Sequence, residues 1–358
     1  MSTDDLLAHA AHRAPYIGGR LAGADLTGAD LADAVLIDTD LGGARFEGAR
    51  LDRARFLRCT LAGADFRGAG LAAPRFLDCR LAGADFSGAT LAEAVFATCD
   101  LAGARFAAAT LEACQFLLCD LAGADLAGAA LSATALLDCR LDAISLSGAR
   151  LVNITLTRAD LRTARLDGLS IDTGVLAEAD LSGHDLTGLA LARLNLAGAK
   201  LVGTRLAGAD LTGDLFVGAD LRGADLERVT APSAIFARAD LAAARLAGAA
   251  LSSANFEDAC LEGADLSDTD LSMVVASGAR AAGASFDRAR LDYARLDGAV
   301  LDGARFNQAR FLRTDFHRAA TDGLVAFGAT GQTLPTEPVR AIAELYDPRR
   351  VADAAPEG

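Results

Sequence analysis

The sequence contains no apolar run approaching the roughly 18 residues a helix needs to cross a bilayer, so it offers no membrane-spanning helix and no membrane partner is expected. Export through a basic, apolar leader is not expected. The opening Met1-Ser2-Thr3-Asp4-Asp5 is acidic where a secretion signal is basic, and the expected compartment is the cytoplasm. It has no excess of positive charge: the formal net charge is -14, which disfavours direct nucleic-acid binding through phosphate neutralisation. No nucleophile elbow, zinc-ligand spacing or paired-carboxylate cleft is present, so the expectation is a protein that is not an enzyme and has no metal or cofactor.

What is present is a register. From Leu21 to Phe316 every fifth position, 60 in all, holds one of four residue types: 41 Leu, 15 Phe, one Ile and three Ala (Ala231, Ala276 and Ala281). The residue two places earlier is usually Ala, as in Ala24-Asp25-Leu26-Thr27-Gly28 and Ala64-Asp65-Phe66-Arg67-Gly68. A period of five fits neither the 3.6 of a helix nor the alternation of a simple strand. Repeats too short to bury their own apolar residues must stack, so an elongated single domain replaces the two or three globular ones that the length alone suggests.

A longer period of 20 lies beneath the shorter one. Phe46, Phe66, Phe86 and Phe106 recur on one series, and Phe56, Phe76, Phe96 and Phe116 on another, while the intervening series are nearly all Leu. Two opposite walls therefore carry Phe and two carry Leu. Between Phe116 and Phe216 there is no Phe, and the small position enlarges to Ile144, Ile154, Leu169, His184, Leu189 and Leu194. Val229 and Val274 likewise precede the core exceptions Ala231 and Ala276. Close-packed interiors demand such volume exchange, which assigns both positions inward.

With its A-(D/N)-L-x-x motif, the chain resembles the pentapeptide-repeat family over residues 21 to about 320. The resemblance implies an all-β fold, a right-handed quadrilateral parallel β-helix solenoid in which four pentapeptides make one square coil. It implies about 15 coils here and a rod roughly 70 Å long at strand spacing. Solenoid ends need covering. Thr3 is expected to cap a short α-helix over Asp4–Arg13 that presents Leu6, Leu7 and Ala10, making residues 1–20 an N-terminal cap. After the 21–320 solenoid the repeat decays, and residues 321–358 read as a decayed coil, a second α-helical cap from Thr336 to about Tyr346, and a flexible tail.

Several residues invite chemistry and have plainer readings. Cys59, Cys79, Cys99, Cys119 and Cys139 recur every 20 residues, with Cys114 on a neighbouring series. Thiols stacked in a parallel ladder point the same way and do not converge on a metal, so they read as small buried apolar residues. His184 and Asp214 are the ionisable residues at the small inward position. They fall near opposite walls, with Thr204 the expected partner of His184 and none evident for Asp214. His9 and His12 lack a third ligand, and the acceptor-like Asn153-Ile154-Thr155 has an inward Ile154. The glycines at 23, 43, 63, 83, 103 and 123 are turn residues, since a phosphate cradle would need a strand leading into a helix.

One wall stands apart. Its outward positions carry Val35, Ile37, Leu57, Leu77, Val95, Leu117, Leu118 and Leu137, bordered by Arg55, Arg58 and Arg75. An apolar strip spanning six coils, roughly 29 Å, is expected to bind a protein partner or a second copy of the chain as a homodimer, unless a terminal segment covers it.

The reading favoured for function is a scaffold or adaptor that binds protein partners through its faces; the resemblance extends this to secretion-associated members. The alternative it implies is a DNA-mimicking binder of DNA gyrase that protects against quinolone- or albicidin-type antibiotics. The outward column from Asp25 to Arg305 interleaves seven Asp with six Arg, and that from Arg20 to Val300 sets seven Asp against five basic residues. Such mixing predicts salt bridges between neighbouring coils and not a continuous anionic stripe.

Overall fold

The residue before each core position pairs with the residue 20 further along. Arg20 bridges to Asp40, Asp25 to Arg45, Asp30 to Arg50 and Val35 to Arg55, all in parallel. Four such pairings per 20 residues fold each turn into four short sides. The result is a four-sided parallel β-solenoid, seen in a computed structural model that describes residues 2–334, 336 and 338. It has about 16 turns, one more than the repeat count suggests. The extra turn comes from both ends: Tyr16–Ile17 already pairs with Leu36–Ile37, and Arg310–Asp315 pairs with Thr330–Leu334 beyond the last regular repeat.

The corners explain the motif. The residue two after nearly every core position takes a positive φ, near 65° at Gly43 and Gly103, where glycine meets the demand without a Cβ clash. The Asp of the motif closes the turn from the other side. Its Oδ1 accepts the backbone N–H two residues on, at 3.1 Å from Asp25 to Thr27, 3.1 Å from Asp40 to Gly42 and 3.0 Å from Asp125 to Ala127. These are Asx turns, and they give much of the acidity a structural purpose. Substituting Asp125→Ala is expected to cost about 1 kcal/mol, read as a lowered urea midpoint. An unchanged midpoint would show that the turn forms without its acceptor.

Inside, the two Phe series form interlocking ladders. Successive rings stack face to face, with centroids 4.7 Å apart for Phe46–Phe66, 4.5 Å for Phe66–Phe86 and 4.8 Å for Phe76–Phe96. Across the interior the two ladders meet edge to face, at 5.8 Å for Phe86–Phe96. In the Phe-free window the enlarged neighbours compensate incompletely. An apolar cavity of about 30 Å³ remains, lined by leucines including Leu166, Leu186 and Leu206.

The N-terminal end is closed by a helix, Thr3–Ala11, that buries Leu6 and Ala10 against the first turn. Its cap is Ser2 and not Thr3: Ser2 accepts from the Asp5 N–H while the Asp5 carboxylate accepts from the Ser2 N–H, a reciprocal capping box. At the other end the backbone coils on after residue 320 although its side chains stop filling the core. Phe311 and Phe316 are half-buried, and Phe327 is 81% exposed. The expected second helix, from Thr336 to Tyr346, lies outside the described residues except for Thr336 and Pro338. No described helix is long and apolar enough to cross a membrane.

Candidate docking face

The face built on Leu36, Phe56, Phe76 and Phe96 differs from the others in its outward residues. Strands Val35–Ile37, Arg55–Leu57, Arg75–Leu77, Val95–Ala97, Gln115–Leu117 and Ala135–Leu137 lie side by side in unbroken register. Ile37, Leu57, Leu77, Ala97, Leu117 and Leu137 therefore form one continuous outward ladder. Each is half-buried by the neighbours above and below it. Val35 and Val95 belong to the parallel ladder beside it.

Two of the expected residues occupy other places. Leu118, 63% exposed, sits on the adjoining corner at φ 54° and not on the flat sheet. Arg58 is also on that corner and is held by a bidentate pair to Asp38 at 2.8 and 2.9 Å. Arg55 and Arg75 stand directly opposite each other in adjacent strands, and among the described residues neither has an ion-pair partner. Like charges so placed repel.

The low-charge surface is longer than the strip read from the sequence. Beyond Leu137 the same face continues through Thr155, Val175, Ala177, Asn195, Ala197, Leu215, Val217, Ile235 and Ala237 without a carboxylate at these flanking positions. The parallel pairing Leu215–Ile235 keeps it in register. The signal was available: the same 20-residue spacing, followed past the end of the leucines.

The other faces behave as the mixed columns predicted. Carboxylates and guanidiniums are mixed along the columns and pair between turns, as in Asp85–Arg105 at 3.2 Å, Asp120–Arg140 at 3.1 Å and Asp185–Arg205 at 3.2 Å, although Asp65–Asp85 and Asp100–Asp120 set like charges opposite each other. With arginine side chains more than half exposed, each pair contributes only about 0–1 kcal/mol. Their effect is to offset part of the negative charge of these faces.

The inward polar residues are tied to the backbone. The thiols of Cys59, Cys79, Cys99, Cys119 and Cys139 each donate to a carbonyl of the turn below, at 3.3 Å from Cys79 to Phe56, and burial pushes the Cys114 thiol up to about 11. His184 does not use Thr204. Its Nε2 contacts the Leu161 carbonyl at 2.7 Å, while the Thr204 hydroxyl donates to Leu201 at 2.8 Å. A carbonyl acceptor leaves no trace in the sequence, which is why that pairing could not be read there. Asp214 is buried, with Oδ1 accepting from the Leu194 N–H at 2.9 Å and Oδ2 without a hydrogen-bond partner. Burial pushes its carboxyl up to about 6. His9 and His12 contact carbonyls of their own helix, at Asp5 and Ala8. Among the described residues no group of three His, Cys, Asp or Glu side chains could hold a metal ion.

Models of pentapeptide repeats match residues 20–71, 175–228, 234–272 and 275–319 in overlapping segments, and a model of the pentapeptide repeat region matches 71–146 and 89–166. The chain belongs to the pentapeptide-repeat family. No curated protein matches the sequence. Among solved structures, a trypsin-treated variant of QnrB1, a plasmid-mediated fluoroquinolone resistance protein, is 26% identical over 45% of this chain and 84% of its own, with a TM-score of 0.39. HetL from the cyanobacterium Nostoc, involved in regulating heterocyst differentiation, is 25% identical over 79% and 96%, with a TM-score of 0.17. Superpositions of this quality carry no functional inference.

Proposed function

We propose that this pentapeptide-repeat chain is a rigid, non-catalytic scaffold that docks protein through its low-charge face. The observation that carries the reading is the in-register ladder Ile37–Leu57–Leu77–Ala97–Leu117–Leu137. It is a flat outward strip of mostly large apolar residues, where the neighbouring face over Gly70–Ser132 carries only Gly, Ala, Ser, Thr and Glu112 at its outward positions, and such strips on proteins in water mark interaction surfaces. A docking role in a secretion assembly remains part of this proposal as a setting for the scaffold.

The gyrase-directed alternative requires carboxylates free to imitate phosphates. Here many are engaged twice, closing a corner and facing an arginine of the next turn, as Asp185 does with Thr187 and Arg205. Purified chain at micromolar concentration is accordingly expected to leave DNA supercoiling by gyrase unchanged; inhibition, or protection against a quinolone, would favour the alternative.

The docking reading itself is tested by Leu57→Asp combined with Leu117→Asp. Both side chains are outward, so the far-UV spectrum and melting temperature should persist while proteins captured by the wild-type chain are lost. Retained capture and an unchanged light-scattering mass would remove the strip from the function.

A further inference from the structure

The charge along the docking face is not uniform, and its distribution selects an occupant. At the positions flanking the core residues of this face, the N-terminal half carries Arg55 and Arg75 and no acid. The C-terminal end carries Glu257, Asp297 and Asp315 against Arg295. The two ends thus hold two positive charges and a net of two negative ones (three acids less one base), separated by the uncharged run from Val95 to Ala237. A surface with opposite charge at its ends and uncharged residues between is complementary to itself when one copy is reversed.

Resting on the reading of this face as a docking surface, we propose that its occupant is a second copy of the chain, laid face to face and antiparallel about a two-fold axis near the middle of the rod. The axis falls near strands Ser170–Val175 and Ala190–Asn195, roughly halfway between Arg75 and Asp297. Antiparallel pairing sets the Arg55–Arg75 end over the Glu257–Asp315 end twice, once at each extremity. Parallel pairing would instead stack arginine on arginine. A two-fold interface is also the commonest closed arrangement for a homo-oligomer.

The size of the face agrees with a real but reversible dimer. From Arg55 to Asp315 it spans 13 turn-to-turn steps, about 62 Å at strand spacing, and is about 10 Å wide over three extended residues. That is roughly 600 Å² from each copy. The total of roughly 1,200 Å² lies at the lower edge of specific interfaces. With an interface of this size and a monomer that folds by itself, association is expected to be reversible within the concentration range of the test below. The ion-paired faces remain outside on both rods, around a seam that is uncharged through its middle.

Sedimentation of the full chain from about 0.1 to 100 μM tests this directly. The expected result is a concentration-dependent shift from one to two monomer masses. Arg55→Glu with Arg75→Glu should weaken the association at least tenfold and Leu57→Asp with Leu117→Asp should abolish it, each with an unchanged circular dichroism spectrum. A spin label at Ile17, on the first turn and 52% exposed, reads the orientation. Label-to-label separations beyond about 50 Å fit the antiparallel pair, and a short separation overturns it. A monomer throughout the range, or a dimer indifferent to both double substitutions, overturns the proposal while leaving the docking face open to another protein, which capture by the wild-type chain tests separately.

Discussion

Phe86→Ala is expected to lower stability by about 3–5 kcal/mol, the upper range for a single truncation in a protein core. The ring is wholly buried and touches four others. It stacks on Phe66 at 4.5 Å and Phe106 at 4.9 Å and meets Phe76 and Phe96 edge to face at 6.2 and 5.8 Å. Truncation leaves a cavity between ladders that cannot close, because each neighbouring ring is fixed by the turn beyond it. Aromatic contacts add to the area term. Urea denaturation would measure the loss, and one under about 1 kcal/mol would show that the interior relaxes where the stacking says it should not.

The second large effect concerns Asp214 and pH. Its carboxyl, raised to about 6 in the fold, has an ordinary value near 3.9 in the unfolded chain. Between those values the folded state binds more protons than the unfolded one, so stability falls as pH rises through that window. A displacement of about two pKa units corresponds to roughly 3 kcal/mol, fully felt above pH 7 and absent below pH 4. Asp214→Asn keeps an acceptor for the Leu194 N–H and removes the charge. The variant should gain roughly 2–3 kcal/mol at pH 7.5 and nothing at pH 4. Equal stability of the two chains at pH 7.5 would show that the carboxylate is already compensated.

These two residues also mark how far the sequence could be read. Phe86 was legible because volume and period act together: rings every 20 residues on two walls can only stack and interlock. The inward thiols and the turn-to-turn ion pairs were legible for the same reason. Tyr16 was not. It falls in the five-residue register one step before Leu21 and is wholly buried, yet as a lone aromatic outside the Leu/Phe pattern it gave no sign that the first turn began there. Ser2 and Thr3 are equally good caps by composition, and the reciprocal bond with Asp5 decided between them. His184 went to a backbone carbonyl, which every residue supplies. The docking face was half legible, its leucines by contrast with charged neighbours and its continuation to Ala237 obscured because Ala, Thr and Asn look unremarkable one at a time.

The acidity of the chain changes meaning in the same light. A charge of -14 suggests a mimic of a nucleic acid, but the Asp residues are distributed by the geometry of corners. Where corner geometry leaves the flanking residue free to vary, one face carries no carboxylate at those positions from Val35 to Ala237.

The most direct test of that claim compares three chains as bait: wild type, Leu57→Asp with Leu117→Asp on the low-charge face, and Arg105→Ala with Arg205→Ala on a charged one. The account predicts that all three fold alike and that bound protein, whether a second copy or another chain, is lost from the first variant alone. Loss confined to the arginine variant, with the aspartate variant binding as wild type, would contradict it.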